Sequence, residues 1–275
     1  MDSKLYNMST INKYTARPGL AMPLHTRVKI PGGWTTLGLL KLNDLVVTPD
    51  GNYVPVTGIY PQGVTDNYKF LFEDGREAES HPLHQWAVYE DNQLTPMVTT
   101  TLDILNHFSD FEYSIPLVGR LGVQQACLSD QELIDIAHQL LTGIITFPKV
   151  EELHYEDRLT IALTMIEYQD ATHTDNGVLI STTSDTAAYT LRDLIWSLGG
   201  IVYMEAQDPY ILRVLQRDIR NPENLVSDTI HQRTKSLKLT GITRDDPVET
   251  VCISIGDDQK LYVIGKYLVT HNGDC

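Results

Sequence analysis

A chain of 275 residues with 42% apolar content can bury the core of one large domain or two modest ones, which excludes disorder as the default. It carries 21 Lys and Arg against 36 Asp and Glu, a formal charge of −15, and such a surface repels phosphate backbones and disfavours wholesale nucleic-acid binding. The longest apolar stretch, Leu194 to Met204, is 11 residues broken by Ser197 and two glycines, too short to span a membrane, and the polar start lacks the apolar run of a secretory signal, so an intracellular protein is expected.

In chain order, residues 1–20 show no sustained apolar period and read as a flank outside the core. From Val28 short β-type runs alternate with turn residues: VKI, Pro31-Gly32-Gly33, WTTL, LVVT, Pro49-Asp50-Gly51-Asn52, YVPVTGIY, YKFLF, Glu73-Asp74-Gly75. That pattern predicts antiparallel β structure. Near residue 129 it changes, and SDQELIDIAHQLLTG opens on a Ser cap with apolar residues at helical spacing. Further helices are predicted over Asp157–Tyr168 and Asp185–Leu198, the latter stopped by Gly199-Gly200. From Val248 the β pattern resumes through ETVCISI, KLYVIG and KYLVTHN. A β domain interrupted by a helical insert is the expected organisation. Cys127, Cys252 and Cys275 are widely separated with no C-x-x-C pair, so any cysteine chemistry is expected to involve single thiols.

Thr270-His271-Asn272 follows the strand-like YLV and precedes only three residues. An Asn side-chain nitrogen can attack its own backbone carbonyl to give a succinimide, cutting the chain, when a neighbouring donor polarises that carbonyl. His271 is placed to do so.

This ending resembles the C-terminal splice junction of an intein. The segment from Ala21 to Gly51, AMPLHTRVKIPGGWTTLGLLKLNDLVVTPDG, is similar to intein openings, and Asp246 to Asn272 is similar to the closing strands. The resemblance implies a mainly β, horseshoe-like Hint fold interrupted by an α/β insert, with residues 21 and 272 brought together. It divides the chain into an upstream flank (1–20), a first part of the splicing domain (21–118), the insert (119–235), a second part (236–272) and a downstream flank (273–275). It implies autocatalytic excision with ligation of the flanks, needing no cofactor or metal and no partner beyond those flanks in cis. A monomer is expected.

The family places a His in the internal strand EAESHPLHQWAVY, where it hydrogen-bonds the upstream scissile amide. His84, two residues before Trp86, is the first choice and His81 the alternative; a weak H-x-x-H metal pair lacks a third ligand. Cys252, mid-strand, reads as a small buried hydrophobe. In one intein subclass, however, this position is the first nucleophile, found together with a Trp in the internal strand and a Thr before the terminal His, and Trp86, Cys252 and Thr270 match that triplet. Two positions depart from the ordinary pattern: Ala21 and Gly273 stand where the family has its nucleophiles, so the ordinary acyl shift and ligation are expected to be blocked. Lys260 replaces a His that assists Asn cyclisation. Two explanations stay open, a precursor trapped by loss of both nucleophiles, or direct attack of Cys252 on the Leu20 carbonyl. In either case cleavage at Asn272 remains available.

The insert resembles a LAGLIDADG homing endonuclease. Ile115–Gly122 resembles its start, and Arg158–Val202 its second half. Gln169 stands where a metal-binding acid belongs, Thr164 and Asp170 where glycines belong, and no first copy is recognisable in Leu128–Gly143. Residues 119–235 hold 9 Lys and Arg against 17 Asp and Glu, the wrong sign for a DNA saddle. The expectation is an inactive structural passenger. A DNA endonuclease and a non-catalytic β binding module are the readings from other classes.

Overall fold

Short runs of alternating apolar and polar residues, punctuated by Gly, Pro, Asn and Asp, make most of this chain into strands. The structure is a computed structural model and describes residues 20–91, 93–122, 127–174, 177–215 and 236–271. In order the chain forms β1 (Met22–Pro23), β2 (Arg27–Ile30), β3 (Gly33–Thr36), β4 (Leu45–Val47), β5 (Tyr53–Phe72), β6 (Glu77–Ser80), β7 (Gln85–Glu90), β8 (Met97–Thr100), α1 (Thr101–His107) and β9 (Tyr113–Pro116). Then follow α2 (Asp130–Leu141), α3 (Tyr155–Glu167), β10 (Asp170–Thr174), β11 (Gly177–Thr182), α4 (Asp185–Ser197), β12 (Val202–Gln207) and β13 (Tyr210–Val214). The chain returns through β14 (Ser236–Ile255), β15 (Leu261–Ile264) and β16 (Leu268–His271).

The fold is mainly β, with antiparallel sheets and, among the described residues, no closed barrel. The largest sheet runs β4-β5-β14-β9-β7-β8, with β1 added to β14 and β6 to β5. A second sheet has the order β16-β15-β2-β3, and a third, β10-β11-β13-β12. The runs YVPVTGIY and YKFLF, read as separate strands, belong to one strand of 20 residues, β5, paired along its length with β14. The ribbon bends at bulges, and their causes are local. Pro247 has no N–H to give the ladder, so pairing skips from Asp245–Asn67 to Val248–Thr65. A second irregularity falls at Pro61 and Gly63, where Gly63 has φ +71°.

The predicted helices form. Ser129 and Glu132 close a capping box on α2, α3 starts two residues before its expected position, and Ser184 caps α4. Helix α1 was not foreseen; Thr100 caps it by accepting the Asp103 N–H.

Two apolar cores result. The first lies under the large sheet and includes Met22, Val28, Val56, Phe70, Trp86, Ile115, Tyr262, Ile264 and Leu268. The second is built from α2, α3, α4 and the sheet of β10–β13, yet it also contains Val47, Val263, Tyr267 and Val269. The core of this helical segment therefore also takes in one face of β15 and β16. Helix α3 is buried on nearly every side, with α2 packed against it, and Arg158 within it donates to the Ser197 and Leu121 carbonyls. No helix among the described residues is long and apolar enough to cross a membrane.

Candidate active site

Strand β1 sets the upstream end of the site. Met22 pairs with Val251 and Pro23 with Thr250, so one step further along the same antiparallel register Ala21 comes alongside Cys252. Both residues are buried. The turn between β6 and β7 then grips the chain just before β1. The His81 N–H donates to the Ala21 carbonyl at 3.0 Å, and the His84 N–H closes the turn on the His81 carbonyl at 2.9 Å. His84 Nδ1 lies 3.2 Å from the Leu20 carbonyl oxygen, and its Nε2 lies 2.7 Å from the Thr270 hydroxyl.

The protonation of His84 follows from these partners. Burial, the largest influence, pushes its pKa down to about 3; the hydrogen bond to Leu20 opposes this, and the nearby His271 and His81 add to the fall. The ring is neutral at pH 7. A carbonyl oxygen can only accept, so Nδ1 carries the hydrogen and donates to Leu20, and Nε2 accepts from the Thr270 hydroxyl. The carbonyl of the Leu20–Ala21 bond thus faces a fixed N–H donor on a buried ring, a geometry that stabilises negative charge developing on that oxygen.

Trp86 is the wall behind this imidazole: the two rings meet edge to face with centroids 5.2 Å apart. The Trp86 Nε1–H donates to the Thr101 hydroxyl at 3.1 Å, the Ser80 and Thr101 hydroxyls are 2.8 Å apart, and the Thr101 N–H donates to the His84 carbonyl at 2.9 Å. Ser80 and Thr101 were missed by sequence reasoning. The Thr100-x-x-Asp103 cap could have flagged α1, whose first residue is Thr101.

His81 Nδ1 accepts the Leu83 N–H, and both His84 nitrogens have protein partners. Cys252 is disulfide-bonded, while Cys127 is free and exposed, so the single-thiol expectation is corrected for Cys252. Thr270 and His271 close β16, where Thr270 pairs with Tyr262 and His271 with Leu261. Lys260, in the left-handed region at φ +56°, immediately precedes that Leu261. Asn272 and Gly273 lie outside the described residues, as does nearly all of the upstream flank. The site thus gathers Ala21, His84, Trp86, Cys252 and Thr270, five positions drawn from both ends and the middle of the chain.

No family model and no curated protein matches this chain significantly. The similar solved structures are intein splicing domains. An Ssp DnaB mini-intein variant is 8% identical, with a TM-score of 0.42 and coverage of 95% of this chain and 98% of its own. The Msm DnaB1 intein splicing domain is 13% identical, with a TM-score of 0.39, covering 91% and 99%. The gp41-1 intein is 13% identical, with a TM-score of 0.35, covering 92% and 98%.

Proposed function

We propose that this chain is a self-splicing element that begins by direct attack of Cys252 on the Leu20 carbonyl. The observation that carries the reading is the bridge Leu20–His84–Thr270, beside a register that sets Cys252 next to Ala21. Ala21 has no nucleophilic atom, and Cys252 supplies one in its place. Once a thiol reductant opens the disulfide, the Cys252 sulfur bonds to the Leu20 carbonyl carbon and the bond to the Ala21 nitrogen breaks. The thiol proton ends on the departing amine, and a thioester joins Leu20 to Cys252. His84 Nδ1–H holds the carbonyl oxygen while it carries charge. Downstream, the Asn272 side-chain nitrogen attacks the Asn272 carbonyl carbon, closing a succinimide and freeing the Gly273 amine, with His271 as donor. Gly273 offers no side-chain nucleophile, so the thioester is expected to end in thiolysis or hydrolysis rather than ligation at that position.

The insert is read as a degenerate endonuclease half. The run α3, β10, β11, α4, with β11 ending before the Ser184 cap, supports that reading. Activity on DNA is not favoured: among the described residues the strands β10–β13 carry one Lys or Arg, Arg213, and Glu205 pairs with it at 2.5 Å.

Intact mass of the reduced protein tests the proposal. Release of Met1–Leu20 by added thiol, lost in Cys252→Ala and unchanged by Asn272→Ala, is the expected result. If release requires Ala21→Cys, the trapped-precursor reading replaces this one. An unbroken chain in every variant favours the non-catalytic β module.

A further inference from the structure

β16 has two faces that answer to different cores. Leu268 and its partner Ile264 lie in the first core, as does Tyr262, the partner of Thr270. Val269 and its partner Val263 lie in the second, and Leu261, the partner of His271, packs against it. Alternation along the strand therefore gives Thr270 to the upstream site and His271 to the side walled by the insert.

The turn that leads into β16 is strained and externally held. Lys266 at φ +59° and Tyr267 at φ +58° are two successive non-glycine residues in the left-handed region, a costly arrangement that persists where the surroundings enforce it. The enforcing groups bind the turn to the insert. The Tyr267 hydroxyl donates to the insert carboxylate of Glu151, which is buried and also takes the Trp34 Nε1–H at 2.5 Å and lies 3.3 Å from Lys29 Nζ. Arg76 donates from Nη1 to the Lys266 carbonyl at 3.2 Å and from Nη2 to the Gly200 carbonyl at 3.4 Å, just past α4, with its guanidinium over Trp196.

Building on the splicing reading above, we propose that the insert, through Glu151, holds the strained Lys266–Tyr267 turn and so aims His271 at the downstream junction. Glu151 is a positioning residue: it acts through Tyr267, Trp34 and Lys29. The proposal assigns the insert its main task in the C-terminal step; of the groups at the N-terminal site, Thr270 alone lies beside His271 on β16.

The test uses the full chain under reducing conditions and follows three quantities: release of Gly273–Cys275, thiol-induced release of Met1–Leu20, and amide hydrogen exchange across Leu268–His271. Glu151→Ala is expected to slow the first by about 100-fold, as a misplaced donor does, to slow the second far less, and to speed the third. Glu151→Gln, which keeps an acceptor for Tyr267, should lose less. Lys266→Gly in the Glu151→Ala background relieves the strain and should restore release of Gly273–Cys275. Equal loss at both ends, or parental release with unaltered exchange, overturns the proposal. Should the parent protein cleave at neither end, the splicing reading fails, and exchange at β16 in Glu151→Ala alone upholds or overturns the positioning role.

Discussion

His84 must stay neutral to work as described, and burial makes it so. The same burial ties folding to pH. An unfolded His titrates near its ordinary value of 6.5, whereas the folded one does so at about 3. Below 6.5 the unfolded chain takes up a proton that the native chain refuses, so stability is full above that pH and falls until about 3, by several kcal/mol in order of magnitude. Melting temperature measured down this range should drop less steeply in His84→Gln than in the parent. Thr270 is the second lever at this scale. Thr270→Val removes the donor to Nε2 while keeping the shape, and is expected to slow thiol-induced release of Met1–Leu20 by about 10-fold or more, with Thr270→Ser retaining most of the rate. His84, Trp86 and Thr270, each singled out in the sequence from a short motif, do come into contact. That Ala21 stands beside Cys252 was not legible there, since it depends on β1 pairing with a strand more than two hundred residues away.

At the scale of elements, α1 shows what a periodicity reading overlooks. TLDILNH is 7 residues, too short for an apolar period to register, yet it delivers Thr101 to the back of the site. Thr101→Val leaves the Trp86 indole N–H and the Ser80 hydroxyl without this partner in a buried setting. A loss of about 1–3 kcal/mol in denaturant unfolding is expected, with Thr101→Ser close to the parent. The strained turn before β16 was equally invisible, because neither Lys266 nor Tyr267 advertises a left-handed backbone as Gly or Asn would. Gly199 does advertise it. At φ +71° it closes α4, and an added Cβ would come within 2.1 Å of the Val118 carbonyl oxygen. The Gly-Gly helix stop was read correctly, but the close approach of the segment leading into the insert was not readable from a local pattern.

Across the whole molecule, the β pattern, the helical interruption and the return to β were legible because each rests on local periods and turn residues. How the insert attaches was not. Lys29 and Glu152 pair across a separation of 123 residues, and Glu151 beside it gathers side chains from β2, β3 and the turn before β16. A core that contains both Met165 of α3 and Val269 of β16 cannot melt in halves. Calorimetry should therefore show one cooperative transition, and two resolved transitions would contradict the shared core.

Thr270 and His271 are neighbours on one strand that face opposite ways. A slip of β16 by a single position would exchange them, offering an imidazole where His84 now meets a hydroxyl and, on the splicing proposed above, a hydroxyl where the downstream step calls for an imidazole. The two junctions thus share one ratchet tooth, and lengthening the Gly265–Tyr267 turn by one residue should silence both ends of the chain together while leaving the remaining sheets in place.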